Sequence, residues 1–152
     1  MGGASYVAIR HPNREKAESK ATKFAVVLLL LANAGLMAIV TFGGWSALQG
    51  AQIFAVAFIL IFVLMAYYVA RWNRGVLPVA AALAVLVAVL SAIAAPAWFD
   101  RDKSGFHNPA LEPSLLGLIC VVLVPVSLLL VAFAMRGFSQ AWNVEVEEQY
   151  ED

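Results

Sequence analysis

Ala51–Tyr68 reads AQIFAVAFILIFVLMAYY, and no charged residue follows until Arg71. A helix that is bulky and apolar on every face leaves no side for water and must be surrounded by lipid or protein. The run does not alternate polar with apolar residues, as a β span would. At 1.5 Å per residue, the ~20 uncharged residues from 51 to 70 cover a hydrocarbon core of about 30 Å. Working outward, three more uncharged stretches of similar length lie at about 24–44, 77–98 and 114–135. Together they predict an all-α membrane protein, an antiparallel bundle of four transmembrane helices. The short connections after the first two spans force consecutive helices to be antiparallel neighbours.

Composition agrees with lipid as the solvent. The chain is 62% hydrophobic and 13% charged, with a mean hydropathy of +0.83, whereas a soluble domain carries about 25% charged residues. A net charge of zero offers no basic face for nucleic acid. One cysteine, Cys120, excludes an internal disulfide, and its apolar neighbours assign it to packing.

Lysine and arginine set the expected orientation. Arg10, Arg14, Lys16, Lys20 and Lys23 precede span one, Arg71 and Arg74 follow span two, and Arg136 follows span four. Only Arg101 and Lys103 fall on the other side. Both termini are therefore expected in the cytoplasm of a multi-pass plasma-membrane protein. Residues 1–23 form a basic tail, 24–136 the transmembrane domain and 137–152 an acidic tail. Trp45, Trp72, Trp98 and Trp142 fall at or just beyond the ends of spans one to four, where indoles anchor at headgroup level. Tyr67 and Tyr68 extend that inner aromatic belt. The first span is too long for a signal-peptide core and follows a polar tail. The stretch PNREKAESKATKF is expected to continue the first helix, with Asn13 as its N-cap.

No Asp, Glu, Lys, Arg or His lies within the spans, so proton relays, ion-coupled carriage and voltage sensing are disfavoured. Haem is disfavoured too, because His11 and His107 lie outside the spans and Met37 and Met65 suit packing. Asn33, beside Gly35 in span one, should turn its amide to another helix. Ala80, Ala84, Ala88 and Ala92 form a small-residue stripe that lets another backbone approach. Pro125 should kink span four, with Ser127 able to satisfy part of the freed backbone.

The outer loop, 99–113, contains DRDKSGFHNPALE from Asp100 to Glu112. It resembles the first half of an EF-type calcium loop. The resemblance implies oxygens from Asp100, Asp102, Ser104, the Phe106 carbonyl and Asn108, with Gly105 at the sharp turn. The twelfth position is Leu111, and the carboxylate comes one residue later as Glu112. These residue types also make ordinary turns, so a connector is favoured over a weak Ca2+ site. No other cofactor is expected. Phosphate loops, zinc motifs and nucleophile elbows are absent, and Ser104, His107 and Asp100 or Asp102 lack the scaffold a triad needs. The chain is not expected to be an enzyme.

The closing AWNVEVEEQYED suits a solvated acidic tail or a strand added to a partner's sheet. The reading favoured is a non-catalytic accessory subunit of a larger bacterial-type integral membrane complex, with other membrane subunits as partners and a respiratory, electron-transport supercomplex as the candidate host. In outline it is similar to the small four-helix subunits of bacterial terminal oxidases, an analogy of shape alone. A holin-like pore and a small-molecule carrier or membrane enzyme are the alternatives.

Overall fold

The computed structural model describes residues 5–106 and 109–151. A strand, β1 (Ser5–Arg10), and one helical turn, α1 (Pro12–Glu15), lead into α2 (Ala17–Gly43). Then come α3 (Gln52–Ala70), α4 (Val76–Asp100), α5 (Pro113–Ser139) and a final strand, β2 (Val146–Glu151). The four long helices are each long and apolar enough to cross a membrane. α2 starts at Ala17, within the basic tail, and α4 carries Asp100 as its last residue. Asn13 is not the cap of α2. It sits within α1, and its Nδ2 donates to the Ala141 carbonyl at 2.8 Å.

The bundle is not equally tight on all sides. α4 packs most extensively on α5, α2 packs on both α3 and α5, and α3 barely meets α4. On α4 the buried set includes Leu77, Ala84, Ser91 and Trp98, with Ala80, Ala81, Val87, Ala88 and Ala95 between them. That is a heptad spacing, the period of a left-handed helix pair. The expected stripe of every fourth residue departs from it, because each four-residue step turns about 40° past a full circle. Ala80, Ala84 and Ala88 stay in the interface; Ala92, about 120° from Ala80, is exposed. Gly35 and Pro125 are also exposed, so neither packs against the bundle.

Two of the four tryptophans are core residues rather than surface anchors. Trp142 has no exposure and Trp98 has 7%. Gly44 makes room for Trp98: a Cβ there would stand 2.5 Å from the indole. Trp142 packs edge-on to Trp72 at 5.1 Å between ring centroids. Trp45 remains well exposed, stacked on Phe42 at 5.7 Å. An indole at a helix end suits an inter-helix gap as well as a headgroup layer, and the neighbouring helix ends decide between them.

The acidic tail pairs with this chain's own β1. β1 and β2 are antiparallel, with Val7 opposite Gln149, Ile9 opposite Glu147 and Arg10 opposite Val146. Both tails therefore lie at one end of the bundle, the tail end, with the 71–75 turn. The connections 44–51 and 101–112 form the opposite, loop end.

Candidate functional site

Within the bundle, Asn33 and Ser127 are fully buried. Ser127 Oγ donates to Asn33 Oδ1 at 2.7 Å, and Asn33 Nδ2 donates to the Leu29 carbonyl at 2.8 Å. The amide thus joins α2 to α5 and also bonds its own helix one turn back. Ser127 directs its hydrogen bond to Asn33 and not to the backbone freed by Pro125.

At the loop end, the described calcium-type carboxylates do not gather around one point. Asp102 accepts a hydrogen bond from Ser114 Oγ in the first turn of α5. Glu112 stands at the N-cap position of α5 with no side-chain cap hydrogen bond, and Asp100 ends α4. Gly105 does adopt the left-handed turn, at φ 96°. Arg101 and Lys103 both lie over the Phe106 ring, at 5.1 and 5.5 Å. Leu111, standing where a twelfth-position ligand belongs, donates its amide to the Gly43 carbonyl at 3.0 Å. Its side chain fills the space that a Cβ on Gly43 would need. Asn108 and His107 lie outside the described residues. Among the described residues no three His, Cys, Asp or Glu gather as a metal site would require.

The tail end is held by cations on helix-end carbonyls. Arg74 Nε donates to the Phe138 carbonyl at 2.8 Å, with its guanidinium 3.7 Å from that residue's ring centroid. Arg14 Nε donates to the Trp142 carbonyl at 2.9 Å. Arg74 places positive charge at the end of α5, opposing its negative pole, and Arg14 holds the segment just beyond it. Lys23 lies 4.3 Å above Trp72. Trp72 itself has φ 66°, and the amides of Trp72 and Asn73 close the last turn of α3 on the carbonyls of Val69 and Tyr68. Glycine usually fills that left-handed position; here the ring's packing on Trp142 and Lys23 offsets the strain. Further out, Arg10 pairs with Glu15 at 2.7 Å and with Glu148, linking β1, α1 and β2. The Arg10 hydrogen bonds hold the Glu15 carboxyl below its ordinary pKa, and Glu15 and Glu148 raise that of Arg10.

One feature escaped the sequence reading. Where α3 and α4 diverge toward the loop end, a cavity of ≈ 270 Å³ opens, floored by α2 and α5. Phe54, Phe58, Leu90 and Trp98 wall it, and Thr41, Ser91 and Cys120 border it. Its only advance signal was a pair of hydroxyl residues in the outer halves of spans one and three.

No protein-family model, no curated protein and no solved structure matches this chain.

Proposed function

We propose that the chain is a non-catalytic accessory subunit of a larger bacterial-type membrane complex, inserted in the plasma membrane with the tail end in the cytoplasm. The orientation rests on the excess of lysine and arginine at the tail end. The observation that carries the subunit reading is the one-sided attachment of α3. That helix packs along α2 and leaves Phe54, Leu60, Ile61 and Leu64 exposed, an apolar surface suited to a neighbouring transmembrane subunit. The bundle interior supports the same reading, because its central polar pair, Asn33 and Ser127, is already satisfied and, among the described residues, no Asp, Glu, Lys, Arg or His is buried there to couple ion movement. A respiratory complex is the host we favour.

Purification from native membranes in mild detergent tests this. Other membrane proteins should copurify in fixed stoichiometry, and electron-transport subunits should be among them. A chain that runs alone in native gels and cross-links to nothing else defeats the subunit reading. Location of either terminus outside the cell by a membrane-impermeant label defeats the orientation.

A further inference from the structure

We propose that the cavity between α3 and α4 binds a lipid-soluble molecule whose carbonyl oxygen accepts hydrogen bonds from Thr41 and Ser91. Thr41 is 4% exposed and Ser91 is 6% exposed, and both border the cavity. Neither hydroxyl makes a hydrogen bond with any described residue, in contrast to Thr22, Ser127 and Ser139 in the same bundle. Both oxygens keep accessible surface, unlike the sealed and unpartnered Ser19 Oγ and Arg101 Nε, so a hydroxyl from α2 and one from α4 stand open to an acceptor inside the cavity. A hydroxyl has nothing to offer an alkyl chain, so the ligand carries a polar atom, and a carbonyl oxygen has the two lone pairs that two donors require.

The walls fix the rest. Phe54, Phe58 and Trp98 offer ring faces and edges, while Met37, Val40, Leu90 and Leu123 offer aliphatic surface. Such a lining takes a flat or chain-like apolar body and no charge. The cavity volume of ≈ 270 Å³ lies near the lower end of small-ligand sites, roughly 300–1,000 Å³, so a ring system or part of an acyl chain fits and a headgroup stays outside. The slight contact between α3 and α4 leaves a lateral entrance that does not require unpacking the α4–α5 interface.

Two membrane molecules carry this chemistry, a quinone with its ring carbonyls and a phospholipid with its ester carbonyls. The inference depends on the membrane reading and not on the choice of partner complex. Retention of the chain in membranes after alkaline carbonate washing checks that reading separately. The detergent-purified protein is then titrated with a short-chain 1,4-naphthoquinone and, in parallel, with a phosphatidylcholine brominated on its acyl chains. Both quench tryptophan, and Trp98 is the reporter inside the cavity. Saturable quenching is expected from one of them, lost in Trp98→Phe. Thr41→Val or Ser91→Ala should weaken it about fivefold each, and the pair together about thirtyfold. Filling the cavity by Ala55→Phe or Ala94→Phe should abolish it. Ala92→Phe, on the exposed side of α4, should leave it unchanged. Whichever probe shows this hydroxyl-dependent saturation identifies the source. The proposal is overturned if membrane-retained protein shows only linear quenching with both probes, or if saturation survives loss of both hydroxyls undiminished.

Discussion

Ser127→Ala is the sharpest perturbation of this bundle, because it removes a single oxygen and leaves shape almost unchanged. In the native protein Ser127 Oγ donates to Asn33 Oδ1 at 2.7 Å with both side chains at zero exposure. After substitution that amide oxygen has no donor, and at zero exposure no water reaches it. A hydrogen bond in a folded protein contributes about 1 ± 0.5 kcal/mol net, and interhelical pairs in bilayers average about 0.6 and reach about 1.7. Full burial places this pair in the upper part of that range, so Ser127→Ala should destabilise by about 1–1.5 kcal/mol. Asn33→Ala behaves differently. It leaves a small void, but the freed Ser127 hydroxyl can turn to a carbonyl of its own helix one turn back. The double variant should therefore be less destabilised than the two singles summed, with a coupling of about 0.6–1.7 kcal/mol. Equilibrium unfolding in mixed dodecyl maltoside and SDS, followed by circular dichroism, measures all four corners of the cycle. A Ser127→Ala variant as stable as wild type, with additive singles, would refute the claim that this pair ties α2 to α5.

Three further outcomes are expected. Gly44→Ala should destabilise by about 1–3 kcal/mol through overpacking, since the new Cβ would stand 2.5 Å from the Trp98 ring. Gly35→Ala meets nothing within 4 Å and should be neutral or stabilising by up to about 1 kcal/mol; the same unfolding assay reads both, and equal costs would contradict the packing. The Arg10–Glu15 pair holds the carboxyl's folded pKa below its unfolded one. Its contribution is therefore complete above the ordinary carboxylate range and disappears as pH falls through the depressed value. The protection of the amides in 146–149, taken relative to the intrinsic exchange rate at each pH, should accordingly hold at neutral pH and fall only in acid, and protection that is lost on raising pH would reverse the sign. Calcium should leave the melting temperature of both wild type and Asp100→Ala unchanged, because Asp102 is engaged by Ser114 and Leu111 occupies the twelfth position; a calcium-dependent rise abolished by Asp100→Ala would restore the metal site.

The four apolar helices were legible because each needs only an uninterrupted run such as Ala51–Ala70, a property of one segment at a time. Relations between segments were less so. The alternation around Val144 and Val146 allowed a strand in the closing tail as well as a solvated acidic one, but its partner SYVAIR, 136 residues upstream in the pairing of Arg10 with Val146, gave no local cue. Trp98 and Trp142 read as headgroup anchors because residue type and helix-end position are the same for an anchor and a plug. Gly44 facing Trp98 was the distinguishing sign, and it becomes informative only once two helix ends are known to meet. Of the alanine stripe, Ala80, Ala84 and Ala88 lie inside the bundle and Ala92 faces away from it, because a four-residue repeat drifts around the helix. The cavity was invisible for the opposite reason: it is made by the divergence of α3 from α4, and no residue encodes a divergence alone.

The ladder between β1 and β2 places residues near the two chain ends side by side, so the covalent order of the helices is not the only order that preserves their spatial neighbours. If the ends were joined by a short linker and the chain were opened in the turn 73–75, the order would become α4, α5, β2, β1, α1, α2, α3. Both new ends would emerge at the tail end, and every helix would keep its direction and its neighbours. Such a circular permutant begins with the tightest pair, α4 and α5, and completes the bundle with its most loosely attached helix. Comparing its insertion with that of the natural order would separate what the sequence of synthesis contributes from what the finished packing contributes.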